Sequence, residues 1–248
     1  MNIWITGASS GIGAELAKQY ASLGHRVFAS ARNAATLTAM EQDSSNLSGS
    51  IGALPLDVTD NESVVQAFNS MVDAGHAPDL VILNAGYYEP VEFTELTLEH
   101  FEKTYDVNLR GVVRCLLPAL MHFTKNQTGH IAIVSSVSGF RGLPKAAAYG
   151  SSKAALINMA ESLKPECDRA SIKLSLVNPG FVKSKLTDRN DFEMPFIMET
   201  PAAAKRIING LDKSGFEITF PRRFTYWLKL MRIIPYRLYF FLTSKLVK

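Results

Sequence analysis

Tyr149 and Lys153 stand four residues apart in Tyr-Gly-Ser-Ser-Lys, and Ser136 precedes the tyrosine by thirteen residues. On a helix, positions i and i+4 share a face, so the two side chains meet. A free tyrosine has a pKa of roughly 10 and is a poor acid or base near neutrality. An ammonium one turn away favours the ionised phenol and makes the group useful for moving a proton. Two such residues also recur by chance on helix surfaces, so the pair takes its meaning from the elements that position it.

The first of those elements is a glycine-rich turn. Asn2-Ile3-Trp4-Ile5 is a strand-like run that ends in Thr6-Gly7-Ala8-Ser9-Ser10-Gly11-Ile12-Gly13. A segment with apolar residues at Leu16, Ala17, Tyr20, Ala21 and Leu23 follows, at helical spacing. Strand, tight turn and helix start together offer free N–H groups and a positive dipole end to a pyrophosphate. The spacing is G-x-x-x-G-x-G rather than the commoner dinucleotide fingerprint G-x-G-x-x-G. A second strand, Arg26–Ser30, ends in Ala31-Arg32-Asn33. A carboxylate at that strand end suits a ribose 2′-hydroxyl, whereas an arginine suits a 2′-phosphate. Arg32 beside Ala31 therefore points to NADP(H) over NAD(H). A third strand, 51–56, ends in Asp57-Val58, a carboxylate placed to accept from an adenine amine. A fourth, Leu80–Leu83, ends in Asn84-Ala85-Gly86, small enough for a nucleotide to lie against the backbone.

These pieces, with Asn108, Ser136, Tyr149/Lys153 and Pro179-Gly180 in order behind them, resemble the short-chain dehydrogenase/reductase family over roughly the first 220 residues. The resemblance implies a catalytic set of Asn108, Ser136, Tyr149 and Lys153. Tyr149 would be the acid in carbonyl reduction and the base in alcohol oxidation. Lys153 would favour the tyrosinate and bind the nicotinamide ribose, Ser136 would hold the substrate oxygen, and Asn108 would support a proton-resupplying water relay. It also implies a cofactor shell of Gly7, Ser9, Ser10, Gly11, Ile12, Gly13, Arg32, Asp57, Val58, Asn84, Ala85, Gly86, Tyr149, Lys153, Pro179, Gly180, Val182 and Ser184. Two departures are mild: Leu83 replaces the first Asn of Asn-Asn-Ala-Gly, and Ser184 stands for a carboxamide-contacting Thr. Ser135 and Ser138 flank Ser136 as rival candidates, but the thirteen-residue spacing to Tyr149 favours Ser136, with Gly139 completing a Ser-Ser-x-x-Gly pattern.

The chain has 248 residues, enough for one large core, and strand and helix patterns alternate to about Thr219. This predicts a single doubly wound Rossmann-type α/β domain. Its seven parallel strands lie near Ile3, Val27, Ala53, Val81, Ile133, Leu176 and Ile218, with helices on both faces. The strand runs are apolar throughout, as strands buried on both faces are. Gln42–Ser50 reads as a polar surface loop. Cys115 and Cys167 are expected to be reduced, and no metal-ligand spacing occurs among the His, Cys, Asp and Glu residues. The first strand begins at residue 2, so no leader peptide is expected and the location reads as cytoplasmic.

Two regions vary. Met194, Phe196, Ile197 and Met198 lie in a segment that the resemblance places over the substrate, and Tyr87, Tyr88, Phe140, Arg141 and Leu143 fall on nearby loops. An apolar, aromatic lining favours a greasy alcohol or ketone. The domain reads as 1–220, followed by an extension, 221–248, with seven cations and no acid. Net charge is +3, which leaves 1–220 at −4. The extension also carries Phe224, Tyr226, Trp227, Tyr236, Tyr239, Phe240 and Phe241. It reads either as a segment packed on its own subunit or a homo-oligomer partner, or as a peripheral contact with an anionic membrane. Nucleic acid fits less well, because apolar residues outnumber the basic ones. The leading function is an NADP(H)-dependent carbonyl reductase or alcohol dehydrogenase. Rivals are a sugar-nucleotide epimerase or dehydratase on the same fold, and a non-catalytic nucleotide sensor or scaffold. An intact set of proton-transfer residues argues against the sensor.

Overall fold

The computed structural model describes residues 1–184, 186–189, 194–213 and 215–246. The seven apolar runs form β1 (Asn2–Thr6), β2 (Arg26–Ser30), β3 (Ser50–Ala53), β4 (Leu80–Leu83), β5 (His130–Val134), β6 (Lys173–Pro179) and β7 (Glu217–Phe220). They pair in one parallel sheet of order β3-β2-β1-β4-β5-β6-β7. The chain leaves β1 toward β2 on one side and resumes with β4 on the other. The crevice where the order reverses, at the carboxyl ends of the strands, is where such sheets bind ligands.

Helices cover both faces. α1 (Gly11–Ser22), α2 (Ala34–Asp43) and α7 (Thr200–Leu211) carry the buried residues of one layer, with Leu16, Tyr20, Leu37 and Ile207 packed on Ile3, Ile5 and Ile82. α3 (Asn61–Asp73), α5 (Gly111–Asn126) and α6 (Ala147–Arg169) carry the other, with Phe68, Leu116, Phe123 and Leu156 packed on Trp4, Leu83 and Ile133. α4 (Leu98–Tyr105) runs into a π-helical turn, Asp106–Arg110, before α5. Polar side chains start several of these helices: Asn33 caps α2, Asp60 caps α3, and Thr97 forms a capping box with His100 on α4.

The 42–50 region differs from the expected loop. α2 continues to Asp43, a 3-10 turn spans Ser44–Asn46, and Ser50 already belongs to β3. The buried Ser44 hydroxyl accepts from Ile51 N at 3.2 Å, which fastens the polar stretch to the strand. Cys115 and Cys167 are both free and buried.

The extension folds into α8 (Arg222–Ile233) and α9 (Tyr236–Thr243). Pro235 ends α8, because the residue before a proline is driven out of the helical region, and Ile234 is extended. The inner face packs on the domain. Phe224 and Leu228 meet the core, Tyr239 is buried, and its hydroxyl donates to Gly142 O. Arg141 donates to Met231 O and to Ile234 O at 2.9 Å, and its guanidinium lies 3.9 Å from the Tyr239 ring centroid. Packing on the same chain does not bury Trp227 or Phe240, which are 63% and 59% exposed. Lys248, one of the seven cations, lies outside the described residues. No helix among the described residues is long and apolar enough to cross a membrane.

Candidate active site

Tyr149 and Lys153 lie in the first two turns of α6, facing the end of β5. Lys153 is 3% exposed, and its Nζ donates to Val134 O at 3.0 Å. The ammonium is 5.7 Å from the Tyr149 ring centroid. Burial lowers the Lys153 pKa to about 8. Burial also pushes the half-buried Tyr149 phenol up to about 12, opposed by a hydrogen bond with Ser136 and assisted by Tyr88. Desolvation outweighs the stabilisation of tyrosinate that the four-residue spacing leads one to expect. At neutral pH the phenol therefore holds its proton and the amine is charged. Tyr88 stands edge-on to Tyr149, with centroids 4.8 Å apart.

The three serines separate by their partners. Ser135 is buried and donates to Lys153 O at 2.8 Å, so its hydroxyl fastens β5 to α6. Ser138 N donates to Ser136 Oγ at 3.1 Å, which orients Ser136 at the start of a 3-10 turn, Val137–Gly139. Ser136 is the one that reaches Tyr149. Gly139 permits the approach, since a Cβ there would come within 2.7 Å of the Lys153 carbonyl carbon.

Asn108 is fully buried inside the π-helical turn. Its Oδ1 accepts from Tyr87 N at 2.6 Å, and its Nδ2 donates to Tyr87 O at 2.9 Å and Ser152 Oγ at 3.1 Å. A Cβ on Gly86 would lie 3.7 Å from Asn108 Oδ1 and 3.8 Å from Lys153 Nζ. Both groups thus border the same small volume beside the turn after β4.

That turn also borders a cleft of about 500 Å³. Its lining brings together Gly7, Ser9, Ser10, Gly11, Ile12, Arg32, Asp57, Val58, Asn84, Ala85, Gly86 and Ser184. α1 begins at its floor, and the side chain of Ser10, the residue before its first turn, makes no capping hydrogen bond. Uncapped amides at a helix N-terminus suit an anion, and the cleft volume falls in the range of cofactor sites. Gly7 (φ +68°) has Ala85 Cα at 2.7 Å from where a Cβ would stand. The donor set and the cradle fit a dinucleotide. Arg32 is exposed at the rim and makes no hydrogen bond or ion pair among the described residues. Asp57 Oδ1 accepts from Thr59 N and Oγ1 at 2.9 and 2.8 Å.

Other expected shell residues sit behind the lining. Gly13 lets α1 approach the turn after β1, since a Cβ would be 2.3 Å from Gly7 O. Pro179 ends β6 against Phe220, Gly180 N donates to Phe220 O at 2.8 Å, and the buried Val182 bridges to Met198. Asn84 spends its amide on the end of β1 and the turn after it, donating to Thr6 O at 3.1 Å and Gly7 O at 3.3 Å. Phe140 is buried, and Arg141 and Leu143 turn toward α8 and α9.

Some contributors escaped the sequence reading. Thr6 Oγ1 accepts from Asn84 N and Ala85 N, joining β1 to β4. Thr187 Oγ1 accepts from Ser184 N at 2.9 Å and donates to Val182 O at 2.8 Å, shaping the Ser184 turn. A hydroxyl three residues after a serine was the available signal. Ser152, which receives Asn108, was visible only as filler within Tyr-Gly-Ser-Ser-Lys.

A parallel sheet with this order, and a tyrosine–lysine pair beside a glycine-lined crevice, define a nucleotide-dependent oxidoreductase. The short chain dehydrogenase family model matches residues 1–194, and the chain belongs to that family. It is 33% identical over 231 residues to an uncharacterized oxidoreductase of Myxococcus xanthus, covering 93% of this chain and 91% of that protein. It is 29% identical over 186 residues to the 3-oxoacyl-[acyl-carrier-protein] reductase MabA of Mycobacterium tuberculosis, covering 75% and 71%. Among solved structures, ElxO with NADP bound superposes with a TM-score of 0.79 at 27% identity, covering 88% of this chain and 96% of that one. A Sphingobium yanoikuyae short-chain dehydrogenase in complex with NADPH shares the fold, with a TM-score of 0.81 at 24% identity over 95% and 96%.

Proposed function

We propose that this protein is an NADPH-dependent reductase of apolar ketones or aldehydes. The observation that carries the reading is the placement of Tyr149: hydrogen-bonded to Ser136, with the Lys153 ammonium 5.7 Å from its ring centroid, and packed on Tyr88, next to the Gly86-Tyr87 wall of the dinucleotide-sized cleft. The cofactor would supply the hydride. The chain's own residues would do the rest. The α1 amides and the Ser9–Ile12 turn would bind the pyrophosphate, and Arg32 would meet the 2′-phosphate, with Ala31 offering no carboxylate to repel it. Asp57 would face the adenine amine, and Ser184 the carboxamide end.

At the reacting carbon, the Ser136 hydroxyl would hold the carbonyl oxygen and Tyr149 Oη would deliver the proton to it. A phenol with a pKa near 12 is in its proton-donating form throughout the physiological range, which suits reduction. The Lys153 ammonium would stabilise the tyrosinate left behind. Asn108, bordering the same volume as Lys153 Nζ, would anchor proton resupply to Tyr149. The apolar preference follows from Tyr88 against Tyr149 and from exposed Leu186, Phe196 and Ile197 on the covering segment. Residues 1–220 would form the catalytic domain.

The relatives support the reading at the level of chemistry: MabA is a 3-oxoacyl reductase and ElxO binds NADP. A sensor would not need Asn108, Ser136, Tyr149 and Lys153 gathered at one point. The test is a screen of ketones and aldehydes of increasing chain length, with NADPH and NADH in parallel. Consumption of NADPH that rises with chain length supports the proposal; no turnover with any carbonyl overturns it.

A further inference from the structure

We propose that the outer face of α8 and α9 is a docking surface for an anionic phospholipid bilayer. Helix α8 is apolar on two sides. Phe224, Leu228 and Met231 face the domain, while Tyr226, Trp227, Leu230 and Ile233 form an exposed stripe at positions i, i+1, i+4 and i+7. α9 extends this surface with exposed Tyr236, Leu238, Phe240 and Phe241. Aromatic side chains dominate, and such rings favour the headgroup region. Arg222, Arg223, Arg232, Arg237 and Lys245 are exposed around the stripe, and residues 221–248 contain no acid.

Charge decides between occupants. A second copy related by a twofold axis would bring this cationic face against itself, because isologous contacts use the same patch twice. An anionic lipid surface satisfies both properties together: the rings enter the interface and the cations meet phosphates. A cleft of about 380 Å³ at the break between the helices joins Arg141 and Arg232 to walls of Phe140, Ile234, Pro235 and Tyr236, a lining suited to a phosphate headgroup. The surface is built into the fold rather than hung from it. Arg141 holds the carbonyls of Met231 and Ile234, and Phe224 packs on Phe181 and Phe196. Docking would therefore hold the covering segment close to the lipid.

The test is co-sedimentation of the full chain with phosphatidylcholine vesicles, with and without about 30 mol% phosphatidylserine, across a salt series. The expected result is at least about tenfold tighter binding to the anionic vesicles at low salt, fading as salt screens the cations. Trp227→Ser with Leu230→Ser, and separately Arg222→Glu with Arg223→Glu, should each reduce binding about tenfold or more. Unchanged thermal melting would show that both variants are folded. No binding to anionic vesicles at low salt overturns the proposal, as does binding that both variants retain in full. Light scattering adds a second route to refutation. If Trp227→Ser with Leu230→Ser dissociates an oligomer that itself ignores vesicles, the face is a subunit interface. Sedimentation needs no turnover, so failure here is separable from failure of the reductase reading.

Discussion

The two ends of this molecule are built in opposite ways. At the nucleotide end, the cleft is shaped by what is missing from the side chains. Gly7 and Gly13 bring backbone against backbone, and Thr6 at the end of β1 is tied to Asn84 after β4 by hydrogen bonds of 3.1 Å. At the C-terminal end, the helices are held by long side chains reaching across gaps. Arg141 spans to two carbonyls, Tyr239 reaches Gly142 O, and Lys229 pairs with Glu217. The first design fails when atoms are added, and the second when they are removed. The first fixes one ligand geometry, while the second leaves a large outward face free to differ.

The largest effect is expected between these ends, at the Tyr149/Lys153 pair proposed to be catalytic. Tyr149→Phe removes one hydroxyl and should lower kcat about 10²–10⁴-fold in steady-state reductase assays, with the fold and cofactor affinity kept. Near-normal turnover would remove Tyr149 from the mechanism. Gly13→Ala then probes the backbone-built end. Its Cβ would fall 2.3 Å from Gly7 O and 2.6 Å from Asn84 Nδ2, so overpacking should cost about 1–3 kcal/mol and weaken cofactor binding measured by fluorescence titration. A neutral outcome would break the contrast.

Arg141→Ala is the matching deletion at the other end. Loss of two charged hydrogen bonds and a cation–π contact should cost about 2 kcal/mol, lowering Tm by roughly 4–8 °C in a chain of this size. Cofactor affinity should not change, which distinguishes it from Gly13→Ala. A pH profile sharpens the catalytic reading. The Lys153 cation is present below its pKa of about 8 and lost above it, whereas Tyr149 keeps its proton to about 12. Reduction should therefore decline above about pH 8, and a slower Lys153→Met variant should lose that inflection. The smallest effect is at the rim. Ala31→Asp should shift preference from NADPH toward NADH by about tenfold in KM ratio, through repulsion of the 2′-phosphate beside Arg32.

The sheet was legible because each strand is a short apolar run bounded by turn residues, and burial on both faces leaves no alternation to misread. The gathering of the glycine turn, Asp57 and Asn84–Gly86 around one cleft was legible for a related reason: these residues sit at strand ends, and strand order brings strand ends together. Less legible were interactions that need three-dimensional distance. Nothing in the sequence separates Ser135 from Ser136 by partner, yet one is tied to Lys153 O and the other faces Tyr149. Burial was harder still. The i, i+4 rule predicts a cation beside a phenol but not the desolvation that raises the phenol's pKa. Arg141 looked like a loop residue near substrate, because its partners lie some ninety residues later in the chain.

The π-helical turn at Asp106–Arg110 makes Asn108 unusually sensitive to chain length. A π turn holds one more residue than the regular helix it interrupts, and each residue of an α-helix advances the side-chain direction by about 100°. Deleting any single residue near 106–110 would let α4 and α5 merge into one well-formed rod. The deletion would leave the hydrophobic positions of both flanks close to their present register, but it would remove the bulge that turns Asn108 toward Tyr87 and Ser152. For a lineage carrying this fold, a one-codon loss here is therefore a distinct hazard from any point substitution. It would yield a protein with more regular secondary structure and without the buried bonds from Asn108 to Tyr87 and Ser152.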